Sequence, residues 1–254
     1  MPLHRRRFLA LGASGALSGL ALSGPLARSA AAPRIRAIAF DGLAVFDTRP
    51  ISALTEEFFP GKGTELSNAW RTRQFEYTWL RTLTNRYVDF WQVTEDALLF
   101  AAKLLKLEVA GEKKTRLMQA FLTIKAWPDA LPALISLKAS GIRLALLSNF
   151  TATMLDAAVR NSGLQGIFEP HLSTDMVRAY KPDPRAYQLG LDAFGLKREE
   201  IVFAAFGGWD AAGARTFGYP TFWVNRANLP LEELDSMPDA TGTTLHDLAS
   251  FVHS

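Results

Sequence analysis

Four apolar runs in this chain end in polar residues: Asp41 after 35–40, Ser148-Asn149 after 142–147, Gly207-Gly208-Trp209-Asp210 after 201–206, and Asn225-Arg226 after 221–224. A carboxylate at the end of a hydrophobic strand is costly to bury unless it is used or hydrogen-bonded. So placed, Asp41 can serve as a nucleophile, forming an aspartyl ester in one step and releasing it in a second. Lys181 can hold that carboxylate ionised, because an opposite charge close by lowers a carboxyl pKa. Ser148 and Asn149 offer hydrogen-bond donors to an anionic substrate group. The absence of cysteine removes a thiol nucleophile, a zinc–thiolate site, an iron–sulfur cluster and a disulfide scaffold together.

These positions need a frame. Residues 131–140 read as a helix ended by Gly141, 142–147 as a strand, and 151–163 as a second helix. After Lys181-Pro182-Asp183-Pro184 come a helix over 185–194 ended by Gly195, a strand over 201–206, a helix over 210–217 stopped by Gly218, and a strand over 221–224. Alternating strands and helices call for a parallel sheet covered on both faces, hence a doubly wound, Rossmann-like α/β core. Ligands of such sheets bind at the carboxyl ends of the strands, so the first three polar groups should share one crevice with Lys181 beside it.

From Leu54 to about Lys125 the apolar residues recur at helical spacing (Trp70, Phe75, Trp79 and Leu83, for example), broken at Pro60-Gly61, Asn85 and Gly111. This is a helical insert after the first strand, placed to form a lid. The expected organisation is a core of 34–50 and 129–254, a helical cap of 51–128, and a separate N-terminal segment, 1–33.

The chain has 254 residues, 48% of them apolar, with 21% charged, 17 Phe and 6 Trp, a composition that excludes intrinsic disorder. Its 28 basic and 25 acidic groups give a basic balance that belongs to the N-terminus. His4-Arg5-Arg6-Arg7-Phe8-Leu9 is a positive n-region, followed by a mild Gly/Ala/Ser/Leu stretch and by Ser29-Ala30-Ala31-Ala32, the small residues a signal peptidase accepts. The order Arg-Arg-x-Phe-Leu resembles a twin-arginine signal, which implies a folded, periplasmic protein without a membrane anchor. Residues 1–33 hold four arginines and no acid. The remainder is therefore close to neutral, and nucleic-acid binding has no support.

Phe40-Asp41, Leu147-Ser148-Asn149, Tyr180-Lys181-Pro182-Asp183 and Trp209-Asp210, in that order, resemble the motif series of the haloacid dehalogenase superfamily. The segment Trp70-Arg71-Thr72-Arg73-Gln74-Phe75-Glu76-Tyr77-Thr78-Trp79 with Arg86-Tyr87-Val88-Asp89-Phe90 is similar to the cap of its L-2-haloacid dehalogenase (type II) branch. Phosphatases of the superfamily carry a second Asp two residues after the nucleophile, to protonate a leaving alkoxide, and bind Mg²⁺ through further carboxylates. Here Leu43 holds that position, and Gly207, Gly208 and Trp209 provide no carboxylate. A halide leaves without a proton and without a metal, so the pattern fits carbon–halogen cleavage with no cofactor and no metal.

The resemblance implies roles for single residues. Asp41 displaces halide from the α-carbon of a small 2-halo acid; Arg71, Phe90 and Trp209 face the halide; Ser148 holds the substrate carboxylate. Lys181 positions Asp41, supported by Tyr187 and Asn149, which also belong to the substrate-binding set, and Asp210 activates the water that hydrolyses the ester. The branch is commonly a homodimer, and the many aromatics of the cap fit either such an interface or the core. Taken singly, Trp209 and Phe90 read equally as core, Arg71 as a solvated charge, Tyr187 as packing and Asp210 as a helix N-cap.

Departures cluster around the nucleophile. The branch usually reads Asp-x-Tyr-Gly-Thr-Leu-Phe-Asp, whereas this chain has the shorter Asp41-Gly42-Leu43-Ala44-Val45-Phe46-Asp47. Where the branch carries Ser-x-Asn before its Trp-Asp pair, Ala205 and Gly207 stand here, and the usual Gln after the cap arginine is Thr72. Three readings stay open: a dehalogenase with slowed ester hydrolysis, a hydrolase of another small acid, and an exported binding protein that keeps the fold without turnover.

Overall fold

The computed structural model describes residues 35–254, so the expected export signal lies outside the described residues. Strand β1, Ala37–Phe40, is apolar on both faces and fully buried, as a central parallel strand must be. Asp41 follows it at once and caps a single helical turn, α1 (Gly42–Val45), accepting a hydrogen bond from the Leu43 amide at 2.7 Å. A two-residue strand β2 (Phe46–Asp47) then leads into the insert.

The insert comprises α2 (Arg49–Phe58), α3 (Gly63–Leu83), α4 (Phe90–Leu105) and α5 (Gly111–Gln119). It begins at Arg49, earlier than the periodicity from Leu54 suggests, because Pro50 in the first turn is a helix starter. Gly111 opens α5 instead of breaking a helix. Strand β3 (Lys125–Ala126) returns antiparallel to β2 and closes the insert at its base. The insert is packed through its aromatics. Trp70 meets Phe121 edge-on at 5.4 Å and donates to the Thr94 carbonyl, and Phe90 lies 5.4 Å from Phe150 of the core.

The core continues through α6 (Ala130–Ala139), β4 (Arg143–Ser148), α7 (Ala152–Asn161), β5 (Leu172–Ser173), α8 (Pro184–Phe194), β6 (Ile201–Ala205), α9 (Gly208–Phe217), β7 (Thr221–Val224), β8 (Ala240–Gly242) and α10 (Leu245–His253). The sheet order is β5-β4-β1-β6-β7-β8, parallel throughout, so the fold is the expected α/β class. Strands β5 and β8 and helix α10 extend the frame beyond the sequence reading. In register, Phe40 pairs with Leu146 of β4 and Ala204 of β6, which brings Asp41, Ser148 and the start of α9 to one edge. Core and insert form one unit, Pro33–Ser254.

Candidate active site

Lys181 is the centre of the site. It is fully buried, and a buried ammonium is tolerated only when paired. Its Nζ donates to Asp41 Oδ2 at 2.5 Å and to Asp210 Oδ2 at 2.7 Å. Burial alone would lower the Lys181 pKa; the carboxylates of Asp210 and Asp41 outweigh it and raise the pKa above the ordinary lysine value. Asp210 goes the other way from most ion-paired acids. Burial, together with repulsion from Asp41, outweighs the pull of Lys181 and pushes its carboxyl up to about 6. One lysine serving two carboxylates leaves a net negative charge in the floor of the site.

Three further groups lock this triad. Asn149 Oδ1 accepts from the Lys181 amide at 3.1 Å. Tyr187 donates its hydroxyl to Asp210 Oδ1 at 2.7 Å, and Tyr219 in turn donates to the Tyr187 carbonyl. Ser148 Oγ accepts from the Phe150 amide at 3.1 Å and lies against Gly42, where a Cβ would stand 2.8 Å from it. Gly42 is thus what lets the turn after Asp41 pass close to β4.

Above the triad lies a cavity of about 260 Å³. Asp41, Ser148, Asn149 and Asp210 line it from the core, and Arg71, Phe75 and Phe90 from the insert. Arg71 has no hydrogen-bond or ion-pair partner among the described residues, and desolvation holds its pKa below the usual arginine value. Trp209 closes one wall, its ring 5.2 Å from Phe75 and 5.4 Å from Trp79. A smaller recess behind Arg71 shares Leu43, Phe75, Phe90 and Phe150 with it.

The cavity therefore gathers Asp41, Arg71, Phe90, Ser148, Asn149, Trp209 and Asp210. Tyr187 is a correction. Expected to meet substrate and support Lys181, it is fully buried on the inner face of α8 and bonds to Asp210 instead, with no face on the cavity. Nor is Asp210 a helix cap: Gly207 occupies that position and Asp210 is the third residue of α9. Phe90 is both core and wall. Asn225 and Arg226 join the cavity too, so the fourth strand end converges with the other three. Phe75, one helical turn after Arg71, carried a readable signal; Glu232, in an irregular segment, carried none. Among the described residues no three His, Asp or Glu side chains gather as they would around a metal ion.

Ala205 and Gly207 bring no polar side chain to this region. Ala205 is fully buried in the apolar cluster that also holds Tyr187 and Phe203, and a Cβ on Gly207 would stand 2.8 Å from Trp209 Nε1. The indole nitrogen thus occupies the space a side chain at 207 would take.

The chain is similar to known proteins over most of its length. Residues 23–218 match the family described as haloacid dehalogenase-like hydrolase. The chain is 43% identical over 212 residues to the (S)-2-haloacid dehalogenase of Pseudomonas sp. (strain YL), covering 83% of this chain and 91% of that one. The crystal structure of the L-2-haloacid dehalogenase RSc1362 superposes with a TM-score of 0.85 at 41% identity, covering 87% of this chain and 100% of the other. The L-2-haloacid dehalogenase of Xanthobacter autotrophicus with chloropropionic acid covalently bound gives 0.79 at 32% identity, covering 87% and 99%.

Proposed function

This chain belongs to the haloacid dehalogenase-like hydrolases, and from that membership we propose that it cleaves the carbon–halogen bond of short 2-halo acids through an ester on Asp41. The observation that carries the reading is the presentation of Asp41 at the cavity floor. One oxygen rests on Lys181 Nζ and the other on the Leu43 amide, below the unpaired guanidinium of Arg71. Each carboxylate oxygen keeps a lone pair for attack.

In the first step an Asp41 oxygen bonds to the α-carbon as the carbon–halogen bond breaks on the opposite side. The halide leaves with the bonding pair, stabilised by Arg71 and the positive edges of Phe90 and Trp209. Ser148 and neighbouring backbone amides hold the substrate carboxylate. In the second step Asp210 takes one proton from water as the water oxygen attacks the ester carbonyl. The bond from that carbon to the alkoxy oxygen breaks, the water's second proton passes to the leaving alkoxide to give the 2-hydroxy acid, Asp41 returns as a carboxylate, and Asp210 gives its proton to solvent. An acid group with a pKa of about 6 is ionised at neutral pH yet basic enough for that transfer. Lys181 stays charged throughout and holds Asp41 in place through its hydrogen bond to Oδ2. Tyr187 acts through Asp210 and is a positioning residue.

The test is a single turnover of (S)-2-chloropropionate in heavy-oxygen water. Stoichiometric chloride with the heavy oxygen first in the Asp41 carboxylate supports the ester. Heavy oxygen directly in the product, with none in Asp41, overturns it.

We also propose that residues 1–33 direct export of the folded chain by the twin-arginine route, on the strength of Arg5-Arg6-Arg7-Phe8-Leu9 and the small residues at 29–32. Replacing Arg5, Arg6 and Arg7 by lysine should leave the protein in the cytoplasm; unchanged export would overturn this.

A further inference from the structure

The cavity, of about 260 Å³, has a wall that extends past the residues the reaction uses. The extra wall comes from the segment after β7. Asn225 donates from Nδ2 to the Leu229 carbonyl at 2.8 Å and accepts from the Leu229 amide at 2.9 Å, a two-bond clamp that fixes the turn. Beyond it, Glu232 reaches back over the start of α9. A Cβ on Gly208 would stand 2.8 Å from Glu232 Oε1 and 2.9 Å from its Cγ, so the glycine makes the space in which this side chain rests.

Glu232 lines the cavity as a solvent-exposed residue and has no hydrogen bond or ion pair among the described residues. The cations nearby are otherwise engaged. Lys181 is held by Asp41 and Asp210, and Arg226 is bonded to Asp129 at 2.9 Å and stacked over Trp127. Arg71 faces the halide side in the reaction above. With three carboxylates against Lys181 and Arg71, the site is left with one negative charge before a halo acid brings another. A substrate with a positive group at its far end would remove that excess.

We propose that Glu232 recognises a cationic tail, so that the site favours zwitterionic 2-halo acids over uncharged ones of equal length. This rests on the reaction proposed above.

The experiment separates the two. Calorimetric binding of 5-(trimethylammonio)pentanoate is compared with that of its uncharged tert-butyl isostere, in the wild type, Glu232→Gln and Gly208→Ala. Halide release from 2-chloropropionate is followed in parallel, and thermal unfolding checks that each variant is folded. The cationic acid should bind about fivefold more tightly to the wild type, as a partly screened ion pair allows, and the ratio should fall to about one in both variants. A ratio of one or less in the wild type, or one unchanged in Glu232→Gln, overturns the proposal. A retained ratio without halide release supports Glu232 while sinking the dehalogenase reading; halide release without a ratio does the reverse.

Discussion

Lys181 Nζ stands 2.7 Å from Asp210 Oδ2 where neither side chain touches solvent, with exposures of 0% and 1%. A lone buried pair would be settled by mutual attraction. Here Asp41 competes for the same ammonium, and burial together with that second negative charge raises Asp210 to about 6. The protonation of Asp210 therefore falls within the range where the protein can be assayed.

The turnover number should fall on the acid side with an apparent pKa near 6 that belongs to the coupled group, because protonated Asp210 cannot accept a proton from water. Lys181, raised above its ordinary value, contributes no alkaline limb below about 10. The stability signs differ from those of rate. Asp210 binds its proton more tightly folded than unfolded, so its contribution to stability declines as pH rises from about 4 to about 6. Lys181 contributes below its unfolded pKa and loses that contribution only as pH rises through its higher folded one. A pH–rate profile flat down to pH 4 would remove Asp210 from the proton transfer.

Tyr187→Phe should slow ester hydrolysis about 5- to 150-fold, the effect of roughly 1–3 kcal/mol for a lost buried hydrogen bond. The hydroxyl lowers the Asp210 pKa, so its loss should also move the acid limb upward in pH. Ester formation should change far less. Pre-steady-state kinetics at several pH values separates these effects from simple destabilisation, which would leave the limb in place.

Asp41→Asn should abolish halide release, by a factor on the order of 10⁴ or more, while the protein stays folded. Lys181 retains Asp210 as partner, so no buried charge is left alone. Circular dichroism and a chloride assay on the same sample check both halves.

Much of this site was legible because its parts sit at strand ends. Asp41, Ser148 and Asp210 each follow an apolar run, and the register of β1 against β4 and β6 brings them to one edge. Tyr187 was read as part of the site from the family resemblance, while its spacing read as packing. Helical period places it on an inner face, but only the packing of α8 against α9 decides that it meets Asp210. Strands β5 and β8, of two and three residues, are too short for any periodic signal. Glu232 lies in an irregular segment, and its place in the wall depends on the absence of a side chain at Gly208.

Chelation should leave turnover unchanged. Leu43 contributes only its amide to Asp41, and both floor carboxylates are committed to Lys181. Halide release that stops with EDTA and returns with Mg²⁺ would contradict this and revive phosphoryl transfer.

The second half-reaction should be the slow one. Ester formation draws on Asp41, Arg71 and the aromatic wall, all of which the cavity brings together. Ester hydrolysis lacks the polar side chains that the motif resemblance leads one to expect at 205 and 207, and a missing orienting bond costs about 1–3 kcal/mol, or roughly 5- to 150-fold in rate. Mixing with 2-chloropropionate should give a burst of halide equal to the enzyme, then slow turnover. Restoring the two side chains is not symmetrical. Ala205→Ser adds one oxygen within the buried cluster that holds Tyr187, whereas Gly207→Asn must drive the Trp209 indole from its seat against Phe75 and Trp79. Ala205→Ser alone should therefore quicken the slow phase. Gly207→Asn alone should weaken the burst as the halide wall shifts, with a change in tryptophan fluorescence to mark the movement. A linear time course in the wild type would place the limiting step before the ester, in the alignment of Asp41 on its shortened turn.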